Sequence, residues 1–218
     1  MIEAVLFDWT NTLVRLDWDD ARVEEGHRAA LGRDDPEFTR RWRDLLFGDH
    51  GHRPYADLLA GLGVQDPDAF IDAEHEVWFP AYAVLASAGA LLDALRARGL
   101  KTALVANAWP DPGRVLRTDA QTFGFAERLD AMVFSEELGI RKPAPGIFLH
   151  AAAELGVEPQ AAVYVGDDLE NDVQGAANVG MTTVQAMWFR ADDNPQSIDP
   201  DYVAFTPMDV LNIVRRLA

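Results

Sequence analysis

From about residue 87 onward, short β-branched or apolar runs alternate with amphipathic stretches of helical length. The runs are Lys101 to Val105, Ala131 to Phe134, Ala162 to Val165 and Thr182 to Gln185. Between them lie Ala90 to Arg98, Pro112 to Phe123, Pro145 to Leu155 and Leu169 to Val179. Strand–helix alternation of this kind predicts an α/β fold, a Rossmann-like doubly wound parallel sheet with helices on both faces. Gly99, Gly124, Gly156 and Gly180 each follow an apolar-periodic segment and read as helix stops.

Residues 15 to 86 have a different character, with four helical stretches and no strand expected. The stretches are Trp18 to Leu31, Pro36 to Phe47, Tyr55 to Leu62 and Pro67 to Phe79, parted by Gly32, Asp34, Gly48, Gly51, Gly63 and Pro80. MIEAVLFDW reads as a buried first strand. The predicted organisation is therefore a core domain of residues 1–14 and 87–218, with an all-helical insertion at 15–86.

Composition excludes several classes of function. A formal net charge of −17 argues against nucleic acid or an anionic membrane surface as partner, since both require a cationic face. The chain has no cysteine, which removes thiolate chemistry and disulfides. No apolar run approaches the ~20 residues that span a bilayer, and no basic, signal-like start is present. A cytoplasmic monomer or homodimer is the expectation.

In an open α/β sheet, ligands bind beyond the carboxyl ends of the strands, so the polar residues there carry the functional signal. They are Asp8-Trp9-Thr10-Asn11-Thr12, Ala106-Asn107, Arg141-Lys142-Pro143 and Gly166-Asp167-Asp168-Leu169-Glu170-Asn171-Asp172. Taken singly each has a plain structural explanation, Asp167 and Asp168 as helix caps for example. Seventeen of the 19 basic residues are arginine, so Lys142, one of two lysines, stands where a compact point charge suits the chemistry.

Taken together, the four motifs resemble those of the haloacid dehalogenase superfamily, in its order and approximate spacing. That resemblance implies a helical cap of the C1 type at 15–86 and a Mg²⁺-dependent hydrolase. Its substrate would be a small phosphorylated metabolite, attacked through an aspartyl-phosphate on Asp8. It further implies that Asp8, Asp167 and the Thr10 carbonyl bind Mg²⁺, that Asp172 or Asp168 completes or supports that shell, and that Lys142 neutralises charge between nucleophile and phosphoryl group. Thr10 stands where phosphatases of this family carry a second Asp, the general acid–base, whose work is typically worth ~10²–10⁴-fold. Ala106 replaces the usual Ser or Thr phosphoryl donor, and Asn107 is the candidate to recover part of that contact. Trp9 and Trp109 are candidate walls of the substrate pocket.

Two alternatives accompany this reading: a catalytically degenerate member that binds or regulates, and a 2-haloacid dehalogenase. A phosphonate hydrolase is rejected because residues 15–86 contain no lysine to form its imine. Of the remaining features, His50 and His52 are a poor zinc pair, and Arg40, Arg41 and Arg43 at helical spacing read as a solvated face.

Overall fold

The computed structural model describes residues 1–17, 19–46, 53–189 and 198–217. Its centre is a six-stranded parallel sheet of β1 (Ala4–Phe7), β4 (Lys101–Ala106), β5 (Ala131–Phe134), β6 (Ala162–Gly166), β7 (Thr182–Ala186) and β8 (Tyr202–Ala204). The spatial order is β5-β4-β1-β6-β7-β8. The chain winds outward from β1 in one direction, through β4 and β5, and then in the other from β6 to β8. Strand order thus reverses beside β1, the switch point at which α/β sheets form their crevice. Phe7 aligns with Leu104 on one side and Val165 on the other, so Asp8, Ala106 and Gly166 emerge at one edge.

Both faces of the sheet are covered, which is why its strands read as nearly continuous apolar runs. Val5, Phe7, Leu104, Val163 and Val165 face α5 (Ala88–Arg96) and α10 (Pro207–Leu217). Ala4, Leu6, Ala103, Val105 and Tyr164 face the other way, onto α8 (Pro145–Leu155). The alternation follows the two-residue period of a strand. All four predicted glycine stops have positive φ.

The described residues between 20 and 78 form α1 (Asp20–Leu31), α2 (Pro36–Leu46), α3 (Tyr55–Gly61) and α4 (Pro67–Trp78). Asp19 caps α1 through the Arg22 N–H, and Asp66 caps α4 through the Ala69 N–H. These helices enclose a separate core of Val23, Phe38, Trp42, Tyr55, Leu59, Phe70, Ile71 and Trp78, into which α6 (Gly113–Thr122) contributes Val115.

The absence of strands in 15–86 needs correcting. β2 (Val14–Leu16) and β3 (Tyr82–Val84) pair antiparallel and join the helical block to the sheet. Each is three residues long, too short for a period to register in sequence. The segment Leu169 to Val179 is also not one regular helix. It opens as a π-helical turn, Leu169–Gln174, and continues as the short α9, Gly175–Ala177. His50 and His52 lie outside the described residues. Arg40 pairs with Glu37 and Asp44, and Arg43 with Asp20, as a solvated face would.

Candidate active site

Asp8 leaves the end of β1 with its N–H bonded to the Val165 carbonyl at 2.9 Å, so the central ladder aims it. It is 7% exposed. The Lys142 ammonium, 2% exposed, donates to Asp8 Oδ1 at 2.6 Å and to Asp172 Oδ1 at 2.7 Å. Its third proton reaches the Tyr164 hydroxyl at 3.1 Å. Burial alone would lower the pKa of Lys142, but the Asp172 and Asp8 carboxylates outweigh it and hold the ammonium well above its ordinary value. Lys142 is therefore a fixed cation.

Asp172 is nearly as buried, at 1%. One oxygen meets Lys142 and the other accepts the Asp168 N–H at 3.1 Å. Gly166 makes room for it, because a Cβ there would lie 2.4 Å from the Asp172 carboxyl carbon. Asn107 positions the lysine from the main-chain side: its amide donates to the Lys142 carbonyl at 3.1 Å and accepts the Lys142 N–H at 2.8 Å. Asp8, Asp167 and Asp172 can each bring a carboxylate oxygen within 4.8 Å of the others. Asn11, at φ 58°, directs its amide to Asp167 Oδ2 at 3.4 Å. A set of hard oxygen donors on this scale suits a divalent cation such as Mg²⁺.

A buried lysine between two carboxylates, at the switch point of a doubly wound sheet, is the geometry to set beside known proteins. The family model of haloacid dehalogenase-like hydrolases matches residues 2–180. This chain belongs to that family. A glyceraldehyde 3-phosphate phosphatase of Methanopyrus kandleri is 33% identical over 242 residues, covering 100% of this chain and 99% of its own. An N-acetylmuramic acid 6-phosphate phosphatase of Pseudomonas aeruginosa is 28% identical, with 99% and 96% covered. Among solved structures, a HAD phosphatase from Thermococcus onnurineus superposes with a TM-score of 0.74 at 26% identity, covering 98% of each chain.

In this hydrolase the cavity above Asp8 has a volume of about 490 Å³. All the residues singled out in the sequence reach its wall: Trp9, Thr10, Ala106, Asn107, Trp109, Lys142, Asp167, Asp168 and Asp172 line it with Asp8. Their surroundings differ. Trp9 is buried against Phe123 and Phe125, so it serves packing as well as the wall. Trp109 meets the ring of Tyr55 on α3 at 5.7 Å and links the wall to the helical block. Thr10 is exposed and bridges to Val14. Asp168 caps the π-helical turn, accepting the Asn171 N–H at 2.7 Å. Ala106 is buried and brings no hydroxyl.

Tyr82 and Asp111 also line the wall and were not found from sequence, and Arg141 and Asn171, named there only as motif neighbours, line it too. Tyr82 donates to Asp111 Oδ2 at 2.8 Å. His75 of α4 meets Asp111 at 3.2 Å and Asp119 of α6 at 3.0 Å. Tyr164 was also missed, although a phenol inside the buried run AVYVG needs a polar partner and was a readable signal.

Proposed function

We propose that this hydrolase is a Mg²⁺-dependent phosphatase of a small phosphorylated metabolite, working through an aspartyl-phosphate on Asp8. The observation that carries the reading is the Lys142 ammonium 2.6 Å from the Asp8 carboxylate, at the floor of an open cavity. An Asp8 oxygen attacks phosphorus, the P–O ester bond breaks, and the leaving alkoxide takes a proton from water; a second water then cleaves the acyl phosphate, releasing inorganic phosphate and returning the Asp8 carboxylate. Lys142 orients the nucleophile and meets the charge that develops on the phosphoryl oxygens. Asp172 and Asn107 keep the lysine in place from two sides. Mg²⁺ held by Asp8, Asp167 and the Thr10 carbonyl, with Asp172 or Asp168 in support, would supply the remaining charge neutralisation. The oxygen cluster is compatible with that role. Residues 15–86 act as a C1-type cap over the core of residues 1–14 and 87–218, and the protein works in the cytoplasm as a monomer or homodimer. The two full-length relatives, named as phosphatases of phosphorylated sugars, support the substrate class.

The decisive experiment is turnover of a phosphometabolite panel with Mg²⁺. Activity that survives Asp8→Asn in the folded protein overturns the mechanism.

The absent hydroxyl at Ala106 and the threonine at position 10 favour a second reading, a degenerate member that binds phosphoryl groups without efficient turnover. Thr10→Asp should then raise the rate by ~10²-fold or more, since a general acid–base is restored. No gain in a folded variant removes Thr10 as the defect. A 2-haloacid dehalogenase is disfavoured, because it needs no metal, whereas the three carboxylates of Asp8, Asp167 and Asp172 gather here around the ammonium of Lys142.

A further inference from the structure

The segment 107–112 joins β4 to α6 and lines one wall of the cavity above Asp8 through Trp109, Pro110 and Asp111. Side chains hold this segment. Near its ends, the Ala108 N–H reaches the Ser135 hydroxyl at 3.0 Å and the Gly113 N–H reaches Glu136 at 3.3 Å. Between them stands Asp111, 5% exposed, whose two oxygens face different elements. Oδ2 accepts the Tyr82 hydroxyl at 2.8 Å, and Oδ1 lies 3.2 Å from Nδ1 of His75 on α4. The other ring nitrogen, Nε2, lies 3.0 Å from Asp119 of α6. Burial lowers the His75 pKa, but hydrogen bonds to the two carboxylates raise it to about 10, so each nitrogen carries a proton for its partner at neutral pH. His75 is not among the described residues lining the cavity. α4 also has anchors of its own. Phe79, the residue after it, stacks on Phe123 at 5.2 Å, and Phe123 stacks on Trp9 at 6.1 Å.

Resting on the phosphatase reading, we propose that His75 is a positioning residue for the reaction, which through Asp111 fixes the wall against which the body of a bound phosphoester lies. One imidazole faces two acidic partners, and of these Asp111 is the one on the wall. The two contacts can be separated chemically. An asparagine amide falls where Nδ1 stands, and a glutamine amide where Nε2 stands. His75→Asn therefore keeps a donor for Asp111 and loses the one for Asp119, and His75→Gln does the reverse.

Hydrogen exchange of the full-length protein, without ligand, tests the hold on the wall. His75→Gln should speed exchange across 108–113 by about 10-fold, the scale of one charge-assisted hydrogen bond, and His75→Asn should stay near wild type. Equal exchange in the two variants, or acceleration spread evenly over α1 to α4, marks a merely structural residue and overturns the inference. Turnover of p-nitrophenyl phosphate with Mg²⁺ tests the consequence. In His75→Gln, KM should rise about 10-fold while kcat and the inhibition constant of inorganic phosphate, which needs only the floor over Asp8, stay near wild type. His75→Asn should keep the wild-type KM. An unchanged KM in His75→Gln, or a loss confined to kcat, overturns the inference. If the wild-type protein leaves this ester intact, the phosphatase reading has failed for it, and the exchange result alone decides the role of His75. Should a histidine variant fail to fold, Asp111→Asn and Asp119→Asn separate the same two contacts from the other side. The first alone should loosen 108–113, and equal effects overturn the inference.

Discussion

His27 on α1 and His75 on α4 belong to the same helical block, one in its interior and the other at its junction with the sheet. In the interior, His27 Nδ1 lies 2.8 Å from the Thr39 hydroxyl and Nε2 lies 3.1 Å from Glu74 Oε1. The rings of Phe38, Trp42 and Phe70 surround it. Burial, aided by Arg43, lowers its pKa to about 4, and burial also pushes Glu74 well above the usual carboxylate range. Both shifts favour the uncharged forms of the pair. Tyr55 donates to the same carboxyl at 2.9 Å, and Trp42 donates to Tyr55 at 2.6 Å, completing a polar network of uncharged groups.

At the junction, burial again works against a charged imidazole, but its hydrogen bonds to Asp111 and Asp119 outweigh that and raise His75 to about 10. Burial depth does not separate the two residues, at 2% and 13% exposed side chain. The difference lies in the partners: His75 has two carboxylates within reach, Asp111 and Asp119, whereas His27 meets the Thr39 hydroxyl and the buried carboxyl of Glu74. Burial thus sets the interior pair, and carboxylate partners set the imidazole at the seam that carries Asp111 to the active-site wall.

The largest effect is expected at Glu74. Removing its carboxyl with Glu74→Ala strands Tyr55 and His27 and opens a cavity, costing about 3–5 kcal/mol in urea denaturation at pH 7. Glu74→Gln should cost less than about 1 kcal/mol, because a neutral group replaces a neutral group. A glutamine variant as damaged as the alanine one would mean an ionised Glu74 and would break the contrast.

Next come the opposed pH dependences. The His27 pKa is depressed on folding, so its contribution is whole above 6.5 and is lost as pH falls through about 4. The His75 pKa is raised, so its contribution is whole below 6.5 and is lost as pH rises through about 10. Glu74, raised as well, adds to the alkaline decline, which begins above its ordinary value of 4.5. The swing is on the order of 3 kcal/mol for His27 and 5 kcal/mol for His75. Imidazole proton shifts titrating near 4 and near 10 would sharpen the comparison, and titration of either ring near 6.5 would collapse it.

The smallest effect belongs to the seam's exposed edge. There Arg114 of α6 reaches Asp72 at 2.5 Å and Asp68 at 3.1 Å on α4. Arg114→Ala should cost only about 0.2–1 kcal/mol in thermal unfolding, and the loss should shrink in high salt. A cost matching that of His75→Gln would mean that the seam draws its strength from its surface rather than from the buried cluster.

Much of this architecture is legible in one dimension. Strands β1, β4, β5, β6 and β7 fall within a residue or two of their apolar runs, because burial on both faces writes an unbroken signal. Asp8 and Asp167 follow from their places after strands, and Lys142 from the motif it shares with the family and from the scarcity of lysine. Three short strands escape, since Val14–Leu16, Tyr82–Val84 and Tyr202–Ala204 draw their pairing from partners elsewhere in the chain.

By itself, then, the sequence determined the alternation of layers, the helical insertion and the identity of the charged groups along one sheet edge. Those follow from local period and from strand ends. The tertiary structure alone decided how each charge is held. Lys142 stands 134 residues from Asp8 and 30 from Asp172, and it becomes a fixed cation only when the sheet brings both carboxylates to it. The same holds for the protons: the pKa of His27 is lowered and that of His75 raised by what packs against them, and local sequence carries no record of a solvent that folding removes.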